Sequence, residues 1–228
     1  MKRKHLLPAG QSRRGTATGT GALYPTGGAA LRLERLSATT ASTTWYDITG
    51  NGKNGTANSA SLFSDFLFNG TNSTVATTLE SPLLPATSTW TLQAWVTQLA
   101  NGRTLFATRA GNNGWALRDS PSGGDLEFTS FPFAGNLAVL PSMLGGDWYH
   151  IVLAWAPGAP ASLKSYVNGA LHATVAPSDY AAVGQPLVIG SGTAGFYNGK
   201  IDTVRVYSRA LSADEILRDY NAGKPEHP

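Results

Sequence analysis

The chain has 228 residues, of which 42% are hydrophobic and 14% charged, and this is enough apolar material for one all-β domain with tails. The absence of cysteine excludes disulfide bonds and thiolate metal sites, and no apolar run reaches the roughly 18 residues that a membrane-spanning helix needs. The N-terminus is basic but lacks the apolar core of about 7–15 residues found in secretory signal peptides, so we expect no leader of that kind.

Residues 1–28 are predicted to form an extended basic arm. The segment is rich in Gly, Thr, Ala and Ser and has no apolar periodicity, so it cannot bury enough surface to fold by itself. It carries five cations and no acid, which leaves residues 29–228 with a net charge of −2. We expect a neighbouring subunit to hold the arm. The basic side chains of the arm would then contact an acidic protein surface or nucleic acid. The alternative is that residues 1–28 are a solvated tail without a binding role. The residues assigned to this assembly arm are Lys2, Arg3, Lys4, Arg13, Arg14 and Tyr24.

Residues 29–222 are predicted to form one domain made of many short strands. Leu31 and Leu33 indicate the first strand, and Gly, Asn, Pro or Ser separates most of the β-branched and aromatic segments that follow. This spacing is typical of a two-sheet antiparallel sandwich. The later predicted strands are Ser61–Phe68, Thr89–Thr97, Thr104–Arg109, Trp115–Asp119, Asp125–Thr129, Trp148–Trp155, Leu163–Val167, Leu171–Val175, Pro186–Ile189 and Lys200–Tyr207.

Two local patterns refine this prediction. Apolar residues alternate with other residues in Thr89–Thr97, which indicates a strand with one buried face. The pair Asn168-Gly169 predicts a type I′ hairpin turn.

One helix is predicted near the C-terminus. Ser212 to Glu215 form a capping box, Ile216, Leu217 and Tyr220 form its apolar stripe, and Gly223 ends it. Residues 223–228 are then expected to be a frayed tail.

Seven segments, taken in order, resemble the laminin-G-like jelly roll of the concanavalin A superfamily. The resemblance covers roughly residues 31–221 and implies a concanavalin A-like jelly-roll fold. Each segment alone is weak, but their order and spacing are specific for the fold and leave the function open. The segments are WYDITGNGKNGT at 45–56, FNGT at 68–71, WTLQAWV at 90–96, WYHIV at 148–152, YVNG at 166–169, LVIG at 187–190 and FYNGKIDTVRVYSRALS at 196–212.

The resemblance also implies a possible Ca²⁺ site, because family members often hold this ion near the edge of the sandwich. Asp47 and Asp202 match positions that are plausible ligands, with carbonyl groups near Asn51 or Asn54 completing the oxygen set. The alternative is that Asp47 caps its own turn and that Asp202 pairs with Arg205 or with backbone amides.

Catalysis is not expected. Glycosidases need two carboxyl groups a few ångströms apart, and glucanases of this fold carry E-x-D-x-x-E on one strand. Here Asp125 and Glu127 share one strand face, but position 130 is serine, so an exposed polar face is the favoured interpretation. Among the scattered histidines, His150 is expected to have a hydrogen-bonded packing role. The sequence contains no nucleophile-elbow, zinc-protease or phosphate-loop motif.

Glycan binding would use exposed aromatic rings that stack on pyranose faces, together with amide hydrogen bonds. The candidates are Trp115 with neighbouring Asn113, Phe131, Phe133 and Tyr197, although each aromatic could instead be a core or loop-anchoring residue.

Two functions follow. The first is a non-catalytic structural protein of a bacteriophage virion, which the resemblance of the WYDITGNG opening at 45–52 to copies in phage structural proteins implies. Such a protein, a capsid decoration or a tail accessory, would attach to neighbouring subunits or to copies of itself through the arm. The second is a glycan-binding module of an extracellular or cell-surface protein, and a virion protein that recognises host glycans would combine both.

Overall fold

The computed structural model describes residues 29–34, 44–49, 51–58, 67–77, 84–100, 103–110, 113–120, 124–132, 135–158, 161–177, 180, 185–192 and 194–228. The predicted assembly arm and Phe133 lie outside these residues, so their proposed roles stay predictions.

The described residues form seventeen strands and one α-helix. Most predicted strands are present, while β10 and several strands of two to four residues were not predicted. In chain order the elements are β1 (Ala29–Glu34), β2 (Thr44–Asp47), β3 (Gly55–Ala57), β4 (Leu67–Asn69), β5 (Val75–Thr77), β6 (Trp90–Gln98), β7 (Thr104–Ala110), β8 (Asn113–Asp119), β9 (Leu126–Phe131), β10 (Gly135–Leu140), β11 (Tyr149–Ala156), β12 (Ser162–Val167), β13 (Ala170–Val175), β14 (Val188–Ile189), β15 (Ser191–Gly192), β16 (Gly195–Phe196), β17 (Asn198–Tyr207) and α1 (Ala213–Gly223).

The strands form two antiparallel sheets packed as a sandwich, which confirms the predicted fold class. The first sheet has the order β2-β1-β17-β6-β11-β12-β13, with β4 also pairing with β17. The second sheet has the order β3-β5-β14-β7-β8-β9-β10, and β2 pairs with strands of both sheets. Strands that are distant in the chain therefore lie side by side at the centre of each sheet.

Stacked aromatic rings fill the space between the sheets. The Trp90 ring lies 5.5 Å from that of Trp115 and 6.1 Å from that of Trp155, measured between centroids. The indole N–H groups of Trp90 and Trp155 donate to Tyr180 Oη and to the carbonyl of Ala86. Each such ring buries about 150–250 Å², so this group supplies much of the hydrophobic stabilisation.

The first sheet is covered on its outer face by α1, and this corrects the expectation that β6 has only one buried face. All nine residues of β6 are buried, including Gln93 and Trp95, whose side chains point away from the aromatic core. The alternation in the sequence separates two faces correctly, but a helix from the C-terminus closes the second face.

The hairpin turn is confirmed. Asn168 and Gly169 have φ angles of 50° and 81°, as a type I′ turn requires.

The capping box at the start of α1 is also confirmed, because Ser212 accepts a hydrogen bond from the backbone N–H of Glu215 while the Glu215 carboxylate accepts from that of Ser212. Leu217, predicted to lie in the buried stripe, is 46% exposed, whereas Asp219 is fully buried.

The residues after α1 are packed rather than frayed. Lys224–Glu226 form a single 3₁₀ turn, and the following His227 is buried against the first sheet. No helix in the described part of the chain combines the length and hydropathy needed to cross a bilayer.

Candidate functional site

Two of the predicted glycan-contact residues belong to the core. Trp115 has no exposed surface and stacks between Trp90 and Phe128. Tyr197 is equally buried, and its hydroxyl donates to the carbonyl of Thr97 at 2.7 Å. Burial raises its pKa well above the usual value for tyrosine. Neither ring has a free face, so the expectation of exposed stacking is not met by these two residues.

Asn113 and Phe131 lie together at one end of the second sheet. Phe131 pairs in register with Gly114, the residue that follows Asn113. Asn113 is exposed and Phe131 is half-buried. Of the predicted glycan contacts, these are the two that the described structure places on neighbouring strands at one end of the sheet, and we call this region the β8–β9 edge.

Asp47 organises the loop that follows β2. Its Oδ1 accepts hydrogen bonds from the backbone N–H and the hydroxyl of Thr49, at 3.0 and 2.7 Å, and its Oδ2 accepts from the Lys53 N–H at 3.0 Å. The Asp47 N–H in turn donates to Asn54 Oδ1 at 2.9 Å. The carboxylate therefore closes its own loop, which was the alternative to calcium binding.

Asp202 belongs to a separate network on β17. Its Oδ1 accepts from the Thr203 N–H at 2.6 Å, and its Oδ2 lies 3.1 Å from Nε2 of His227. The described residues contain no cluster of three or more His, Cys, Asp or Glu side chains suited to a metal ion. Asp47 and Asp202 thus lie in separate hydrogen-bond networks, and the Ca²⁺ site stays a prediction.

The predicted carboxylate pair on β9 is also engaged. Glu127 lies 3.7 Å from the guanidinium of Arg118, while Asp125 is exposed in the turn before the strand. The arrangement is a polar strand surface and not two opposed carboxyl groups.

A buried polar cluster joins the outer face of the first sheet to α1. Gln93 donates from Nε2 to Asp219 Oδ2 at 2.6 Å and lies 3.4 Å from the Tyr207 hydroxyl. Arg205 lies 3.9 Å from the same carboxylate oxygen. Burial raises the pKa of Asp219, and the hydrogen bond from Gln93 and the charge of Arg205 partly oppose this rise.

His150 lies beside this cluster and is held in its neutral form. Burial, followed by the charges of Arg205 and His227, lowers its pKa to about 3. Neither ring nitrogen has a hydrogen-bond partner among the described residues, so only the packing part of its predicted role is met. Its ring centroid lies 5.2 Å from that of Trp95.

Sequence reasoning missed the participation of Gln93, Asp219 and His227. A signal was present in the second face of β6, where a glutamine and a tryptophan alternate with core residues, and in an aspartate three positions after Ile216 on the buried side of α1. That pattern indicates that helix and strand meet through polar side chains.

The two packed antiparallel sheets define a jelly-roll domain of the lectin-like class. The chain belongs to the family described as the concanavalin A-like lectin/glucanases superfamily, because the Laminin_G_3 family model matches residues 69–217, more than half of the chain. This confirms the family resemblance recognised in the sequence.

Individual relatives match parts of larger proteins. The human adhesion G-protein coupled receptor D1 is 30% identical over 144 residues, which is 58% of this chain and 16% of the receptor. The chain therefore spans only a small fraction of that relative.

Solved structures show the same fold at low identity. The binding domain of botulinum neurotoxin serotype D has a TM-score of 0.64 and 15% identity, covering 86% of this chain and 51% of that one. Domain 4 of AbnA, an extracellular arabinanase from Geobacillus stearothermophilus in complex with arabinotriose, has a TM-score of 0.59 and 18% identity, covering 76% of this chain and 91% of that domain.

Proposed function

We propose that this chain is a non-catalytic, lectin-like protein that binds a glycan at the β8–β9 edge. The observation that carries the proposal is that the exposed Asn113 and the half-buried Phe131 lie on neighbouring strands at one end of the second sheet. An amide supplies hydrogen bonds to sugar hydroxyls, and an aromatic ring packs against the apolar face of a pyranose. The arabinanase domain, whose structure contains arabinotriose, supports a sugar ligand for this fold.

The contacts of the acidic residues support a non-catalytic role. Hydrolysis of a glycosidic bond requires one carboxyl group as acid and another as base or nucleophile on opposite sides of the bond. Glu127 is paired with Arg118, and Asp47 is occupied by the N–H and O–H groups of its own loop. Both carboxylates are therefore engaged by neighbouring donors.

A glycan array with the full chain, followed by calorimetric titration of each hit, tests the proposal. Asn113→Ala and Phe131→Ala should each weaken binding at least about tenfold, since each removes one kind of contact. Asn221→Ala, which removes an exposed amide on α1, is the matched control and should leave affinity unchanged. A folded wild type that binds no sugar, or equal losses in all three variants, would contradict the proposal.

We also propose that the domain is displayed on a virion through its N-terminal arm. The supporting observation is charge separation, because the first 28 residues carry five cations and no acid while the rest of the chain is net acidic. Such an arm is attracted to acidic protein surface or to nucleic acid, and this attraction weakens with salt. The alternative location is an extracellular or cell-surface protein that carries the same glycan-binding domain.

Deleting residues 1–28 tests whether the arm attaches the domain to a virion. The truncated protein should keep the melting temperature of the domain but lose incorporation into particles. Replacing Lys2, Arg3 and Lys4 with glutamine should weaken incorporation in proportion to the charge removed. Unchanged incorporation of the truncated protein would exclude the arm as the attachment element.

A further inference from the structure

His227, the penultimate residue, occupies an aromatic cage on the outer face of the first sheet. Its ring lies parallel to that of Trp95, with 4.3 Å between centroids and 4° between planes. The Trp148 ring meets it edge-on at 4.7 Å and 73°. Only 2% of the His227 side chain is exposed. The His227 ring is thus enclosed by aromatic side chains.

Both nitrogens of this ring face oxygens that can only accept hydrogen bonds. Nδ1 lies 2.8 Å from the carbonyl of Gly223, and Nε2 lies 3.1 Å from Oδ2 of Asp202. A neutral imidazole has one N–H and satisfies one of these acceptors, whereas a planar cation with N–H groups at both edges satisfies both. The parallel indole face adds cation–π attraction, and the carboxylate supplies the opposite charge.

Three adjacent strands build the cage. Asp202, Trp95 and His150 are paired in one row across β17, β6 and β11. A β-bulge follows Asp202, where Thr203 adopts a φ of 51° and donates its N–H to Asp202 Oδ1. This unusual conformation for a β-branched residue leaves Oδ2 directed at the His227 ring.

The surrounding charges suit a cation. His150 is neutral beside Trp95, and the nearby guanidinium of Arg205 lies 3.9 Å from the Asp219 carboxylate, which opposes its charge. The Lys224 ammonium lies over the Tyr220 ring, 5.6 Å from its centroid, and Glu226 is exposed on the 3₁₀ turn. Asp202 is therefore the charged group in contact with the ring among the described residues.

We propose that Trp95, Trp148 and Asp202 form a binding site for planar nitrogen cations, with His227 as its intramolecular occupant. The ligand class is a guanidinium or imidazolium group, either on a free small molecule or on a basic side chain of a partner. His227 lies on the segment that follows α1 and not on a strand of either sheet. Replacing its side chain therefore vacates the cage without changing a residue of the two sheets.

The test uses His227→Gly in the full chain, with methylguanidinium as the probe and methylurea as its neutral analogue of the same shape. The variant should bind methylguanidinium saturably, with quenching of tryptophan fluorescence, at least about tenfold more tightly than wild type and tenfold more tightly than methylurea. Adding Asp202→Asn to this variant should weaken its binding of methylguanidinium at least about tenfold. His172→Gly, which removes an exposed histidine on β13, is the matched control and should bind no better than wild type.

Competition between an arginine-containing peptide and methylguanidinium for the same variant distinguishes a partner side chain from a free small molecule as the source of the cation. Tighter binding of the peptide indicates a partner side chain, and equal or weaker binding indicates a free small cation. Circular dichroism and thermal melting verify folding, and a chain lacking residues 227–228 provides a second vacated cage if His227→Gly does not fold. A folded, vacated protein that binds methylguanidinium no better than methylurea would overturn the proposal.

Discussion

Gln93 donates from Nε2 to Oδ2 of Asp219 across 2.6 Å, which joins the middle of β6 directly to α1. Both side chains are buried, and the two residues are 126 positions apart in the chain. The C-terminal helix is thus docked by a polar contact as well as by the apolar packing of Ile216 against the sheet. Because a buried carboxylate needs its partners, this contact makes a measurable contribution to stability.

Asp219→Ala should lower the free energy of unfolding by about 2–4 kcal/mol, because it leaves Gln93 and Arg205 without a buried carboxylate partner. Urea unfolding at neutral pH measures the loss. Asp214→Ala, an exposed acid on the same helix, is the control and should cost less than about 1 kcal/mol. Equal losses in the two variants would show that the buried contact does not dock the helix.

Gly190 and Gly52 have similar positive φ angles, 78° and 69°, but different surroundings. A Cβ at Gly190 would lie 2.1 Å from the Phe68 ring, whereas a Cβ at Gly52 would have no atom within 4 Å. Gly52→Ala should therefore cost only about 1 kcal/mol for the backbone conformation, and Gly190→Ala at least about 3 kcal/mol, since the buried ring must also move. Thermal and urea unfolding of the two variants measure these costs. Similar costs would show that the clash with the Phe68 ring does not contribute.

Local sequence patterns correctly predicted those elements whose structure is determined by residues close together in the chain. The hairpin at Asn168-Gly169 follows from two residues that tolerate positive φ, and the helix start at Ser212 follows from a capping box. The alternation in β6 separated its two faces correctly. In each case the determining residues are neighbours in the chain, so the sequence alone contains the information.

The candidate sites were harder to predict because they depend on distant residues. Trp115 adjoins a glycine- and asparagine-rich segment, which favours a loop position, yet its place in β8 turns the ring into the core. Trp95 is covered by the C-terminal segment, which returns over β6, and the residues beside Trp95 in the sequence do not identify that segment. Burial of a strand face by a remote helix is decided by tertiary packing, not by periodicity.

The ion pair at the start of α1 predicts an acid-sensitive contribution to stability. The hydrogen bonds from Arg209, opposed by burial and aided by Ser212, lower the pKa of Glu215 to about 2. The stabilisation is therefore complete above the ordinary pKa of 4.5 and is lost as pH falls toward 2. Glu215→Gln should cost about 1 kcal/mol at pH 7, a small value because the pair is partly exposed, and nothing below pH 2.

Urea unfolding of wild type and Glu215→Gln at several pH values measures this difference. Glu226→Gln, which removes the same charge from an exposed turn, should show no comparable pH-dependent difference. A cost for Glu215→Gln that is independent of pH would exclude the ion pair as its cause.

The neutral, buried His150 predicts the largest response to acid. Its pKa is lowered to about 3 in the folded protein from an ordinary value of 6.5, so the unfolded chain binds a proton first as the pH falls. The folded state should lose a few kcal/mol of stability between pH 6.5 and 3 for this reason. His150→Phe keeps a ring beside Trp95 and removes two buried nitrogens, so it should be neutral or stabilising at pH 7 and should resist acid better than wild type. Unfolding curves at pH 7, 5 and 4 provide the measurement, and His172→Gln, at an exposed histidine, is the control. If His150→Phe lost as much stability in acid as wild type, another group would be responsible.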